Sequence, residues 1–186
     1  MKEQKLKLPK VDKSWTLFLD RDGVINKKIK NGYVLNVSMF EFLDGVLSAF
    51  PILSQTFGRI IVITNQRGIG RGLMSTKDLE SIHNFMIKEI EKVGGKIDAV
   101  FYCPHDYERE KCSCRKPNIG MALQSKERFK DIDFKKSIVV GDSLSDIEFG
   151  KNIGAYSVFI DKNNKKPDLA DFSFKNLYEF ALHLKI

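Results

Sequence analysis

Two aspartates with one residue between them, Asp20 and Asp22, close an apolar run over residues 15–19 and are followed at once by Gly23. Side chains alternate along an extended chain, so the two carboxylates lean the same way while Arg21 points elsewhere. Carboxylates so close repel, and a fold keeps them only with a cation or a shared proton between them. A charged turn after a strand gives the same short pattern. Further groups decide between the two. Thr64-Asn65-Gln66-Arg67 closes a second apolar run, Gly141-Asp142 a third, and Lys116 stands in Cys114-Arg115-Lys116-Pro117. A carboxylate nucleophile, hydroxyl and amide donors for phosphate oxygens and a point positive charge are the parts of phosphoryl transfer. Three carboxylates at one place, with room for water, suit Mg²⁺.

A second cluster has different chemistry. All three cysteines and one of the three histidines fall within residues 103–114, as Cys103, His105, Cys112 and Cys114. Three thiolates and an imidazole make a closed tetrahedral set for Zn²⁺. Residues 1–13 are polar and lysine-rich with no apolar signal core, so a cytoplasmic chain is expected and disulfides are not. The 103–114 loop has little apolar content, and zinc would replace its missing core in a structural role. Because Cys114 adjoins Arg115 and Lys116, the same ion would fix two cations beside the phosphate site.

The elements that must position these groups alternate in type. Apolar runs at 15–19, 59–63, 98–102, 137–140 and 155–160 read as strands, several of them continuous and β-branched, the pattern of strands covered on both faces. Between them, 46–56 has helical spacing, with a kink expected at Pro51. Leu79, Ile82, Met86, Ile90 and Val93 form a helical stripe that Ser75 and Asp78 cap and Gly94-Gly95 stops. A short helix to about Asn152 and a closing one at 177–184 complete the set, with polar loops at 27–36 and 161–168. Strands separated by helices imply a Rossmann-like α/β fold: a parallel sheet, right-handed crossovers, helices on both faces and all strand C-termini on one edge. Ligands bind at that edge. Asp20, Asp22, Thr64, Asn65 and Asp142 all fall there, and this joint placement favours the catalytic reading over five separate turns and caps. The helix bearing His83 reads as structural, and His83 and His183 as packed or surface residues.

With 186 residues, 42% of them hydrophobic, the chain is expected to form a single domain over 1–186. No apolar stretch approaches the roughly 20 residues that span a bilayer, so no membrane partner is expected. The net charge of +7 is spread over many lysines without a basic block, which fits a solvated surface and an anionic substrate better than nucleic acid. A monomer is expected. Neither interval between the reactive groups is long enough for a large cap domain, so the active site should be open, walled by the 103–114 and 27–36 loops.

These motifs resemble the haloacid dehalogenase superfamily of phosphatases over about residues 17–160: Asp20-Arg-Asp-Gly-Val24, Thr64-Asn65, Lys116, and Gly141-Asp142 with Asp146. The resemblance implies that Asp20 is the nucleophile that forms an aspartyl-phosphate and Asp22 the general acid and base. It also implies that Asp20, Asp22 through its backbone carbonyl, and Asp142 hold Mg²⁺. With the zinc loop, the likeness narrows to the small zinc-containing branch that acts on heptose bisphosphate or histidinol phosphate. Asp20-Arg-Asp-Gly-Val-Ile-Asn26, Gly32-Tyr-Val34, Phe40-Glu-Phe-Leu-Asp-Gly45, Thr64-Asn-Gln-Arg-Gly-Ile-Gly-Arg-Gly72, Tyr102-Cys-Pro-His105 and Cys112-Ser-Cys-Arg-Lys-Pro117 most resemble the D-glycero-D-manno-heptose 1,7-bisphosphate phosphatases. In those enzymes residues like Arg115 contact the part of the sugar distant from the reacting phosphate.

The resemblance thus implies a small phosphorylated sugar as substrate and Asn26, Tyr33, Thr64, Asn65, Gln66, Arg67, Arg115 and Lys116 as phosphate- or substrate-binding residues. Arg67 stands where a small residue is usual, Ser143 where a lysine often follows the metal aspartate, and the zinc loop is short. The alternatives are a histidinol phosphatase or another phosphatase of the branch, a nucleic-acid 3′-phosphatase, and a non-catalytic zinc module that binds nucleic acid. The last has no use for Asp20 and Asp22.

Overall fold

The computed structural model describes residues 7–184; of the lysine-rich stretch 1–13, residues 1–6 lie outside it. Six strands, β1 (Thr16–Leu19), β2 (Arg59–Asn65), β3 (Ala99–Cys103), β4 (Ser137–Gly141), β5 (Tyr156–Ile160) and β6 (Phe172–Phe174), form one sheet in the order β3-β2-β1-β4-β5-β6. Every pair is parallel. Strand β1 lies between β2 and β4, with Leu19 level with both Val62 and Val140. Asp20, Thr64 and Asp142 follow these levels by one or two residues, so they emerge side by side at the edge where the order of strands reverses.

The sheet is covered on both faces. Leu17, Leu19, Val62 and Val140 pack with α1 (Val46–Thr56), α3 (Thr76–Lys92) and α6 (Leu177–His183). Phe18, Ile61, Ile63 and Val139 point the other way, onto α4 (Gly120–Arg128) and Phe149 of α5 (Leu144–Asn152). The alternation of Leu17, Phe18 and Leu19 between two cores is why this strand reads as one continuous apolar run. Each such fully buried side chain contributes about 1.5 to 3 kcal/mol. Pro51 lies inside α1, and Ser75 and Asp78 form the expected capping box.

Besides two 3₁₀ turns, three short elements lie outside the sequence reading: α2, a single turn at Arg67–Gly70, then α4 and β6. The buried face of α4 is Met121, Ala122 and Ser125, too small and polar to give an apolar stripe, and β6 has only three residues. From β1 to β2 there is only loop, a 3₁₀ turn (Val37–Met39) and α1, so no large cap covers the sheet edge. Among the described residues no helix is long and apolar enough to cross a membrane.

Candidate active site

The chain leaves β1 by curling: the Arg21 carbonyl accepts from the backbone N–H groups of Val24, Ile25 and Asn26. Gly23 makes the curl possible. Its φ is +97°, and a Cβ there would lie 2.1 Å from Asp142 Oδ2. The loop backbone therefore rests directly against the Asp142 carboxylate, which only glycine allows.

Lys116, 3% exposed, is brought under the sheet edge by the turn after Cys114. Its ammonium lies 2.9 Å from Asp20 Oδ1 and 2.5 Å from Asp146 Oδ1, and it donates to the Ile63 carbonyl at 2.8 Å. The first two contacts are ion pairs and the third is a hydrogen bond. Above them opens a cleft of about 230 Å³ lined by Asp20, Asp22, Lys28, Thr64, Arg115 and Lys116, among others.

Asp20, Asp142 and Asp146 each offer an oxygen within 4.8 Å of the others. Burial pushes the Asp20 carboxyl up to about 7, and Asp146 and Asp142 add to the rise against the pull of Lys116. Asp142 is also raised by burial, against Lys28, whose ammonium is 2.9 Å away. Lys116 stays charged because Asp146 and Asp20 outweigh its burial. Two ammoniums, the buried Lys116 and the exposed Lys28, do not balance three carboxylates, and an oxygen-seeking divalent cation fits the remainder. Asp146 is the least available to it. Its Oδ2 caps α5 by accepting from Ser143 N (3.1 Å) and Oγ (2.6 Å), and its Oδ1 faces Lys116. That leaves Asp20 and Asp142 of the three; separately, no backbone N–H among the described residues donates to the Asp22 carbonyl.

The Asp22 carboxylate faces elsewhere. Both its oxygens lie within 3.0 Å of Arg21 Nη2, and Asn26 Nδ2 and Gln66 Nε2 each donate to it at 2.9 Å. Burial raises its pKa, but the Arg21 charge and these donors outweigh it and hold the group below the usual carboxylate range. Arg21 is fully buried, and its Nη1 meets His83 Nε2 of α3 at 3.3 Å. The alternation that put Arg21 away from Asp22 stops at Leu19, because the chain is no longer extended beyond it. The helix read as purely structural thus backs Asp22 through Arg21. His83 lies one turn after Leu79 on the buried face of α3, so the helical stripe pointed to it.

Several expected contact residues stand behind the cleft rather than in it. Asn26 is fully buried, its Nδ2 donating to Asp22 and the Lys27 carbonyl. Gln66 bridges Asp22 and Thr64, reaching Thr64 Oγ1 at 2.8 Å and leaving the Thr64 hydroxyl proton free for a phosphate oxygen. The Asn65 side chain reaches the cleft wall, but its amide clamps the Lys116 backbone, accepting from Lys116 N at 3.1 Å and donating to Lys116 O at 3.3 Å. Arg67 turns away onto Asp106 and Tyr107, and Tyr33 stands beside Gly68. Asn26, Gln66 and Arg67 do not line the cleft, and their polar atoms are engaged with neighbouring groups of the chain. Thr64, Arg115 and Lys116 line the cleft as expected, and Lys28, Ser143 and Ser145 join them.

The four residues of the cysteine loop converge. Cys103 Sγ lies 3.5 Å from both His105 Nδ1 and Cys112 Sγ, and His105 Nδ1 lies 3.1 Å from Cys114 Sγ. All four atoms fall within 4.8 Å of one another, and the thiols are free. A tetrahedron with metal–sulfur bonds of about 2.3 Å has edges of roughly 3.7 Å, so the donor set fits a thiolate-seeking ion.

Comparison with known proteins agrees with this geometry. The family described as polynucleotide kinase 3 phosphatase matches residues 15–186. A D-glycero-alpha-D-manno-heptose-1,7-bisphosphate 7-phosphatase of Mycobacterium bovis is 41% identical over 172 residues, 90% of each chain. The corresponding beta-named enzyme of Haemophilus influenzae is 39% identical over 144 residues, 75% of this chain and 76% of its own. Among solved structures, a D,D-heptose 1,7-bisphosphate phosphatase from B. bronchiseptica, complexed with magnesium and phosphate, superposes with a TM-score of 0.82 at 30% identity, covering 92% of this chain and 98% of the other. The chain belongs to the polynucleotide kinase 3 phosphatase family and is similar over most of its length to heptose bisphosphate phosphatases.

Proposed function

We propose that this chain is a Mg²⁺-dependent phosphatase that removes the 7-phosphate of D-glycero-D-manno-heptose 1,7-bisphosphate. The observation that carries the reading is the Asp20 carboxylate set 2.9 Å from Lys116 on the floor of a cleft whose wall includes Arg115. Asp20 attacks phosphorus, the bond to the sugar oxygen breaks, and an aspartyl-phosphate forms. Thr64 donates its free hydroxyl proton to a phosphoryl oxygen, and Lys116 balances charge on Asp20 and the transferring group. Asp22 gives a proton to the leaving oxygen and then takes one from the water that releases phosphate. Its ionised form, held by Arg21, is ready for the second step, and in the first the Arg21 pair must loosen. Mg²⁺ held by Asp20, Asp142 and the Asp22 carbonyl would neutralise phosphoryl charge and keep Asp20 ionised. Zn²⁺ held by Cys103, His105, Cys112 and Cys114 would fix the wall that carries Arg115.

Support for the sugar comes from relatives of that name across most of the chain. The alpha-named relative covers more of the chain than the beta-named one, which makes the α anomer the expected substrate. The family's description favours one competing reading, a nucleic-acid 3′-phosphatase. The test is kcat/KM with Mg²⁺ on both heptose bisphosphate anomers, histidinol phosphate and an oligonucleotide 3′-phosphate. The heptose bisphosphate should lead by about 10²-fold or more, and Asp20→Asn should lower turnover on the order of 10⁴-fold without unfolding the chain. Preference for the oligonucleotide, or near-parent activity of Asp20→Asn, would overturn the reading.

A further inference from the structure

Arg67 is buried yet lies outside the cleft, and four groups of one loop surround its guanidinium. Nε donates to Asp106 Oδ1 at 2.5 Å, Nη1 to the Tyr107 hydroxyl at 3.2 Å, and Nη2 lies 2.5 Å from Glu108 Oε2. Its central carbon also lies 4.1 Å from the centroid of the Tyr107 ring. The same ring carries a second cation: the Arg115 guanidinium is centred 4.5 Å from it. Arg115 has Nη1 buried without a hydrogen-bond partner among the described residues and lines both the cleft of Asp20 and a second cleft, with Tyr107, Lys111 and Asn118.

The approach of the two segments is close along its length. Gly70 N donates to the Pro104 carbonyl at 2.8 Å, and a Cβ on Gly70 would lie 2.6 Å from Asp106 N. Only a glycine lets α2 and the loop come so near. Asp106, 3% exposed, also caps its own turn by accepting from Glu108 N. Arg67, the Tyr107 ring and Arg115 therefore make one continuous chain of contacts from the end of β2 to the cleft.

We infer that Arg67 is a positioning residue for substrate specificity: it clasps residues 106–108 onto the end of β2 and, through Tyr107, aims Arg115 at the second phosphate of a bisphosphate substrate. This deepens the proposed function and rests on it. Arg suits the task because a planar fork can bond in its plane while its face meets the ring. Without the clasp the ring is free to swing, and Arg115 must be ordered at each binding event, a cost that falls on KM.

The experiment compares the parent, Arg67→Ala, Arg67→Lys, Tyr107→Ala, Arg115→Ala and the Arg67→Ala/Arg115→Ala double variant, with zinc content and Tm measured throughout. Each is assayed on heptose bisphosphate and on a small aryl phosphate. Arg67→Ala and Tyr107→Ala should raise KM for the bisphosphate about tenfold, with kcat within about twofold and aryl phosphate turnover unchanged. Arg67→Lys should not rescue, since it lacks the fork and the flat face. In the Arg115→Ala background, Arg67→Ala should add almost nothing, because both act through one contact. Equal losses on both substrates, full rescue by lysine, or additive losses in the double variant would each overturn the inference. A parent without preference for the bisphosphate overturns the substrate reading and this one together, whereas a parent preference left undiminished by Arg67→Ala overturns this one alone.

Discussion

The Lys116 ammonium lies 2.9 Å from Asp20 and 2.5 Å from Asp146, so one buried cation is shared by the proposed nucleophile and the capping box of α5. Asn65 fixes the backbone of the same lysine from the end of β2. Strands β1, β2 and β4 are thereby tied together at one charge, and the geometry of the attacking oxygen depends on all three. The pairing is also costly to disturb, because breaking a buried ion pair leaves a bare charge in a poorly solvating place.

Lys116→Met tests both consequences. Turnover should fall about 10² to 10³-fold, as when a preorganised charge is removed from a phosphoryl-transfer site. Stability should fall by about 3 kcal/mol, since Asp20 and Asp146 are left buried together. Adding Asp146→Asn should restore much of the stability, read by urea denaturation, without restoring turnover. Recovery of both would show that Lys116 acts only through the fold.

Metal analysis of protein purified without chelator should give about one zinc per chain. Cys112→Ser, which removes one soft ligand from a closed set, should lower Tm by roughly 5 to 10 °C. A metal-free protein with parent Tm would refute the structural role.

Strands and reactive groups were legible because the apolar runs end abruptly at Asp20, Thr64 and Asp142, and a parallel sheet must gather such ends. The cysteine cluster was legible because its residue types are few and close in sequence. Contacts across the fold were not. Asn26, Gln66 and Arg67 were expected at the substrate because sequence shows proximity along the chain, whereas burial and side-chain direction decide which face each serves. Arg21 was misread because an alternation rule for extended chain was carried past Leu19 into a turn. Asp146 gave no signal of its double duty, since the lysine it neutralises lies 30 positions earlier and reaches it only through the fold.

His83 supplies a pH test outside the metal site. Burial and then the neighbouring Arg21 charge lower its pKa from 6.5 to about 3, so it is neutral in the folded state. Below about pH 6.5 the unfolded chain takes up a proton that the folded one refuses, so stability falls with pH by up to about 1.4 kcal/mol per unit until the folded value is reached. His83→Gln retains an acceptor for Arg21 and cannot titrate. Between pH 6.5 and 4.5 the parent should lose about 2 kcal/mol more than the variant in denaturant titrations. Parallel losses would mean that His83 is solvated or already charged.

Arg115 and Lys116 are sequence neighbours with opposite exposure to the chemistry, and kinetics should separate them. Lys116 reaches Asp20, so its contribution grows as charge develops in the transition state and appears in kcat. Arg115 does not reach Asp20; it stands at the junction of two clefts, with Tyr107 against its face. A guanidinium there offers a fork to a second, non-reacting phosphate, an interaction present in the ground state as well as the transition state. Arg115→Ala should therefore raise KM for heptose bisphosphate and lower kcat/KM on the order of 10²-fold, the ~2 to 3 kcal/mol of a charge-assisted hydrogen bond. The loss on a small monophosphate should be much smaller, because that substrate has nothing to place in the second cleft. A matched pair of kcat/KM measurements on the two substrates decides the matter: equal losses would put Arg115 at the reacting phosphate and leave the second cleft without a role in recognition.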